Sequence, residues 1–411
     1  MDVGARSAGG LIGFGASHFG RTVVWVAADL YALYALTRIA GLSDAVAGGV
    51  FLLVMLFSAA CDLVVGGVID RYGSPGVRTL VGAAGLSSIA FAVSLSSGQP
   101  LIAVSAAFVF RLAYAVYDVP HNALVKRLSG VGGDAVVTVS TVRFLTGAAA
   151  SFTVAGLAAR LVSPGGQGLG WLAAISAGFA ASAMVVYAPV MARLRQASPA
   201  TASGARLSSS RTVLMLIAVA LLGAILGGLV TKALAFLGDA ELGSAGWTGR
   251  ALAILTIGRV AAAPIWAWAG HRLPLVMLLA VAFGVVGLGG AMFVAAPASI
   301  VAVEAGVLIL GAGFSGVTVY SWALLPDLSG ALGHGRTRDP IHTAVAAYTA
   351  INKLALGMSG AAIGTLLAWM DEAPTGVSLS LAVGVLIVTG SLACATMLTF
   401  AKRGLREVMS L

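Results

Sequence analysis

The sequence predicts an all-α integral membrane protein, with about twelve transmembrane helices in two pseudo-symmetric six-helix bundles. Three observations point there. Of 411 residues, 59% are hydrophobic and 9% charged, and mean hydropathy is +1.00. A water-soluble domain carries about 25% charged residues, so the expected solvent is lipid. The apolar residues fall into runs of about 20, the length that crosses a hydrocarbon core. The segment ALVKRLSG at residues 123–130 returns 200 positions later as ALLPDLSG at 323–330, an echo between two like halves.

In chain order the apolar runs are Thr22–Ile39, Ala45–Ile69, Thr79–Leu95, Leu101–Val125, Val136–Val162 and Leu169–Met191. A second set follows: Thr212–Leu237, Trp247–Ala269, Leu273–Ala295, Ser299–Leu325, His342–Met370 and Val377–Ala401. Between them Ala192–Arg211 is polar and Ser-rich, with Arg193, Arg195, Arg206 and Arg211. The division is residues 1–192 for the first bundle, 193–211 for the linker and 212–411 for the second. The 54 glycines sit largely among Ala, Leu and Val, where small residues let helices approach closely.

Charge orients the spans. Alternate loops carry Arg71 and Arg78, Lys126 and Arg127, the linker arginines, Arg272, and Arg336 with Arg338; the tail adds Lys402, Arg403 and Arg406. The intervening loops carry Asp44, Asp239 with Glu241, and Asp371 with Glu372; Arg160 and Arg250 depart from the pattern. Basic loops stay in the cytoplasm, so both termini and the linker are expected there, in a multi-pass cell (inner) membrane protein. The net charge of +9 is thereby dispersed among loops and does not form a nucleic-acid surface. Cys61 and Cys394 lie in apolar spans with no disulfide or metal spacing. The first 21 residues lack the apolar core and cleavage site of a signal peptide.

Ionisable residues inside spans are costly and mark function. They are Asp29, Asp62, Arg111, Asp118, Arg143, Lys232, Arg259, Glu304 and Lys353. Arg111 and Asp118 stand seven apart, about two helical turns, and share a face. Pro120 then loosens the helix. Asp118 is expected to pair with Arg111 or Arg143, or to touch substrate. Asp29 and Glu304 are expected near helix ends or in local pairs. Tyr31, Tyr34, Tyr114, Tyr117, Tyr320 and Tyr348 offer hydroxyls and ring faces to a cavity, with packing as the alternative. His121 reads first as a packing residue, and His18, His271, His334 and His342 as loop or boundary residues without metal-ligand spacing. No Walker loop, GxSxG or HExxH occurs, so no ATP motor or hydrolase is expected. The enzyme class is therefore not expected, and neither is an organic cofactor or a metal.

Six spans, a basic linker and six more match the parallel-repeat plan of major facilitator transporters, whose substrate site lies between the halves. Gly66, Asp70, Arg71 and Gly73 resemble that superfamily's GxxxDRxG signature, a charge latch and gate at a helix end. One family is resembled in particular, the glycoside–pentoside–hexuronide:cation symporters, which include melibiose permease. YDVPHNAL at 117–124 is the most specific match. YALTRIAGLSDAVA at 34–47, residues 56–67, WALLPDL at 322–328 and AYTAINKLALGMSG at 347–360 are similar to further family segments. The resemblance implies substrate contacts at Asp118, Arg143, Asn122, Tyr114 and Lys353, and cation coupling at Asp62, Ser58 and Lys353. Where members often carry two acids four residues apart, this chain has Ser58 and Asp62, and the family's sugar-contacting acid in span one appears as Thr22.

The expected function is secondary active transport of a small solute by alternating access, as a proton-coupled symporter. One carboxylate makes a poor sodium cage, since hard cations want several oxygens, yet suffices for a proton. The alternatives are an exporter or uniporter of a larger amphipathic, lipid-like metabolite, and a membrane assembly factor on the same fold. The expected partners are a small-molecule substrate and the bilayer, with the chain a monomer and no nucleic acid bound.

Overall fold

The computed structural model describes residues 8–129, 133–194, 210–238, 246–270, 272–323, 341–372 and 377–409. These form twelve long helices: α1 Ala8–Arg38, α2 Asp44–Tyr72, α3 Val77–Ser96, α4 Pro100–Ser129, α5 Gly133–Leu161, α6 Leu169–Leu194, α7 Ser210–Phe236, α8 Trp247–Gly270, α9 Leu275–Ala295, α10 Ile300–Ala323, α11 Ile341–Glu372 and α12 Leu379–Met409. Eleven are long and apolar enough to cross a membrane. The exception, α1, carries His18, Arg21 and Asp29 along its length. No strand occurs among the described residues. The expected architecture therefore stands: an all-helical, multi-pass membrane protein.

The first span is longer than expected. Its apolar run begins at Thr22, but α1 begins at Ala8 and takes in His18 and Arg21. Both are buried, so His18 is not the loop residue it was expected to be. Polar groups can sit inside a span when neighbouring helices supply partners. Most of the linker, residues 195–209, lies outside the described residues, as do Leu324–Gly330 of the second echo, His271 and His334.

Helix neighbours repeat on adding six. The pairs α1–α6, α1–α5, α2–α4, α3–α4 and α3–α6 recur as α7–α12, α7–α11, α8–α10, α9–α10 and α9–α12. This is the pseudo-symmetry of two six-helix bundles. Between bundles, α2 runs against α11 and α5 against α8, a pair of contacts that the same shift interchanges. Helix α1 also meets α7.

Small residues make the α2–α11 contact possible. A Cβ on Gly364 would stand 2.5 Å from the Asp44 carbonyl oxygen, and one on Gly48 3.2 Å from that of Gly360. At the other end of α2, a Cβ on Gly66 would stand 2.7 Å from Ala346 Cβ and 2.8 Å from the His342 oxygen. With little hydrophobic drive between helices in lipid, such close backbone packing is what holds them.

Candidate functional site

The buried charges collect where α1, α2 and α4 face α7 and α11. Helix α1 supplies a single stripe, Phe14, His18, Arg21, Trp25 and Asp29, at helical spacing. From α4 come Arg111, Tyr114, Asp118, His121 and Asn122. Helix α4 continues through Pro120, whose missing N–H leaves the Val116 carbonyl without its helical donor.

Asp118 is 3% exposed, and its ion pair is with Arg21 of α1, not with Arg111 or Arg143 as expected. Arg21 also reaches the Tyr114 hydroxyl at 3.4 Å and His18 Nδ1 at 2.9 Å. His18 and His121 stack with centroids 5.6 Å apart, and Phe14 covers both. His121 is thus a packed residue; its Nδ1 lies 3.3 Å from Ser17 Oγ. Arg143 of α5 donates to Asn122 Oδ1 at 3.1 Å, so two expected substrate residues do meet, one helical turn after Asp118. Thr22 donates to the His18 carbonyl at 2.6 Å within its own helix, where the resemblance set it in the place of a sugar-binding acid.

Three acids of the first bundle are held by the second. Asp62 is fully buried; it accepts from Lys353 Nζ at 2.6 Å and from Thr349 Oγ1 at 2.7 Å, both on α11. Ser58, one turn earlier, is fully buried with no hydrogen-bond partner for its hydroxyl among the described residues. Asp29 accepts from Lys232 Nζ at 2.9 Å and Thr231 Oγ1 at 3.0 Å on α7, a bridge absent from the sequence expectation of a local pair. Asp70 accepts from the backbone N–H of Thr343 at 2.8 Å, the Thr343 hydroxyl at 2.6 Å and His342 Nδ1 at 2.7 Å. It thereby caps the N-terminus of α11 from another helix, satisfying N–H groups that the helix itself leaves free.

The other members of the signature fill supporting places. Gly66 admits α11, and Gly73 closes α2 at φ +92°, a conformation favoured by glycine, its N–H bonded to Ile69 O. Arg71 is exposed, its guanidinium 5.3 Å from the Tyr72 ring.

Aromatic rings line the space between these bridges. Lys353 Nζ lies 6.0 Å from the Trp25 ring and 5.8 Å from that of Tyr114. Arg111 stacks on Trp25 at 5.2 Å and on Phe110 at 4.7 Å. Away from the site, Tyr320 donates to the Trp266 carbonyl at 2.6 Å, so it serves packing. Tyr31 and Tyr34 are buried side by side, and Tyr34 packs on Phe236. Tyr117 is buried and packs edge-on against Tyr114, while Tyr348 packs on the small Ala123–Val345 cluster. Glu304, near the start of α10, pairs at 2.7 Å with Arg250 near the start of α8, so it sits at a helix end as one expectation had it, with its partner on another helix.

Sequence reasoning missed Arg21, the cation that meets Asp118. Its signal was the 14, 18, 21, 25, 29 spacing on one face of α1, hidden because the run was opened at Thr22.

Buried charges bridging two pseudo-symmetric bundles within twelve helices define a membrane transporter. Residues 13–401 match the family model described as MFS/sugar transport protein, and the chain belongs to that family. A stretch of 122 residues is 28% identical to the uncharacterized symporter YjmB of Bacillus subtilis (strain 168), a match that covers 27% of each chain. Among solved structures, the nucleoside transporter NupG superposes with TM-score 0.65, at 15% identity over 95% of this chain and 98% of that one. A structure of proton-dependent oligopeptide transporters superposes with TM-score 0.69, at 14% identity over 98% and 99%. These solved structures share the fold.

Proposed function

We propose that the protein is a proton-coupled symporter that moves a small solute by alternating access. The bundles are residues 1–192 and 212–411, joined by the linker 193–211, and the solute sits between them against Asp118, Arg143, Asn122, Tyr114 and Lys353. The observation that carries this is Asp62: fully buried, on α2, and bonded to two side chains of α11. A carboxylate at a moving interface ties its own protonation to the position of that interface.

The ion is a proton rather than sodium. The one acid of the cation span already holds an ammonium group, and Ser58 adds a single hydroxyl. A desolvated sodium ion needs most of its hydration shell replaced by oxygens. For a proton the sequence is simple: Lys353 leaves Asp62, Asp62 takes the proton, and the α2–α11 contact loses its charge attraction. A mere scaffold has little use for costly buried charges that join two moving bundles. The similarity to a symporter over part of the chain and the fold shared with proton-dependent carriers support the same reading. The basic loops support the reading that both termini and the linker are cytoplasmic, and the proposal takes the chain to work as a monomer in the cell (inner) membrane.

The test is solute accumulation in proteoliposomes, with the solute found by thermal-shift screening of purified protein, since a bound ligand stabilises the native state. An inward proton gradient should drive accumulation and sodium should add nothing at fixed pH. Sodium-driven uptake that persists after the proton gradient is collapsed would contradict the proposal.

A further inference from the structure

Arg111 is a buried cation that the bridges leave over. Asp118 has Arg21, Asp29 has Lys232 and Asp62 has Lys353. Arg111 is 2% exposed, yet its Nε and Nη1 have no hydrogen-bond partner among the described residues. It lies within electrostatic reach of Asp29, Asp62, Lys232 and Lys353, so it stands between the two bridges that join the bundles. The guanidinium carbon lies over the Trp25 and Phe110 rings, and the N–H groups on Nε and Nη1 are left unspent. An unpaired guanidinium in low dielectric is expensive, and its fork suits a phosphate or carboxylate.

We propose that Arg111 is the subsite for an anionic group of the transported solute, and that this group is a dianion of the phosphate-monoester class. The proposal rests on the transport reading above and names its substrate class. Charge balance selects the dianion. With Asp62 ionised, the cluster of Arg111, Lys232, Lys353, Asp29 and Asp62 carries one surplus positive charge, and Arg259 of α8, within electrostatic reach of Asp29, adds a second. The groups facing Asp62 are Lys353 and Thr349 of α11, Arg111 and Tyr114 of α4 and Cys61 on its own helix. When Asp62 takes its proton, Lys353 is released and the surplus becomes three. A phosphate monoester then bonds both Arg111 and Lys353, and its two charges match the two cations that have no acid of their own. Anion and proton thus favour one another's binding, which is the condition for symport.

The experiment is thermal-shift titration of purified full-length protein with methyl phosphate, acetate and methanol at constant ionic strength. Methyl phosphate should stabilise the wild type more than acetate, and methanol should not. Arg111→Met should weaken the methyl phosphate effect about tenfold or more, the scale of a lost charge-assisted bond. Arg111→Lys should recover part of it. Without ligand, Arg111→Met should melt no lower than the wild type, because an unpaired buried charge has been removed. Asp62→Asn should bind methyl phosphate at least as tightly as the wild type, since its lysine is already released. Binding is read without any gradient, so failure of coupling and failure of this subsite are separable. The proposal falls if no anion stabilises the wild type, if acetate matches methyl phosphate, or if Arg111→Met binds as well as the wild type. It also falls if both Arg111 variants fail to fold, which would make the residue structural.

Discussion

The two bundles share a packing plan and divide the charge between them. The first carries Asp29, Asp62, Asp70 and Asp118; facing it, the second contributes Lys232, Lys353 and the N-terminus of α11. Among the described residues, each charged bridge between bundles is therefore an acid of the first half against a cation or N–H donors of the second. The buried pair Arg21–Asp118 lies instead within the first bundle and joins α1 to α4. The difference separates two jobs. Under the alternating access proposed above, a pair within a bundle can persist through a rocking motion, while pairs between bundles would break and reform. Repetition of the fold thus fixes where helices meet, and the unequal charges decide which meetings are reversible.

Breaking the internal pair is the severest perturbation. Arg21→Ala or Asp118→Ala should each cost about 3–5 kcal/mol, because the partner is stranded in low dielectric. The double variant should be less damaged than the two losses added together, as measured by thermal melting in a fixed detergent. Strict additivity would deny that the two residues act as a pair.

The bridges between bundles should behave differently. Asp29→Asn removes the charge of an acid that is 17% exposed but leaves an amide oxygen to accept from the fully buried Lys232, so the loss of stability should be smaller, about 1–2 kcal/mol. The gain should be in opening: a single cysteine placed near Asp29 should react faster with a membrane-impermeant maleimide. Asp70→Ala removes the borrowed cap of α11 and should cost about 1 kcal/mol. It should increase reactivity at the opposite end of the bundle. Equal labelling of wild type and variant at both ends would remove the idea that these bridges act as gates.

The smallest effect belongs to the surface. Glu304→Gln should change melting by less than about 1 kcal/mol, since Arg250 is 52% exposed and a solvated pair contributes little.

Much of this arrangement was legible in the sequence. Runs of apolar residues are a direct record of lipid contact, so the spans were readable. Asp62 and Lys353 were readable as one coupling site through the family resemblance, and their cost in a span without partners agrees with the bridge between them. Asp70 was readable from its glycine-framed turn. What escaped was partner choice. Hydropathy averages along one helix, whereas Arg21 is made tolerable by Asp118 on another, 97 residues away. That is why α1 was opened at Thr22, and why Asp118 was assigned to the arginines nearest in the apolar runs. Asp29 was expected to pair locally for the same reason; its lysine lies 203 residues on.

Asp62, in the mechanism proposed above, carries the proton that its bridge to Lys353 excludes. The most direct measurement follows proton movement with a pH-sensitive dye inside proteoliposomes after solute is added outside, with no imposed proton gradient. Wild type should acidify the lumen as solute enters, and Asp62→Asn should not, while still exchanging labelled for unlabelled solute. Acidification that survives in Asp62→Asn, or that requires sodium, would contradict the claim.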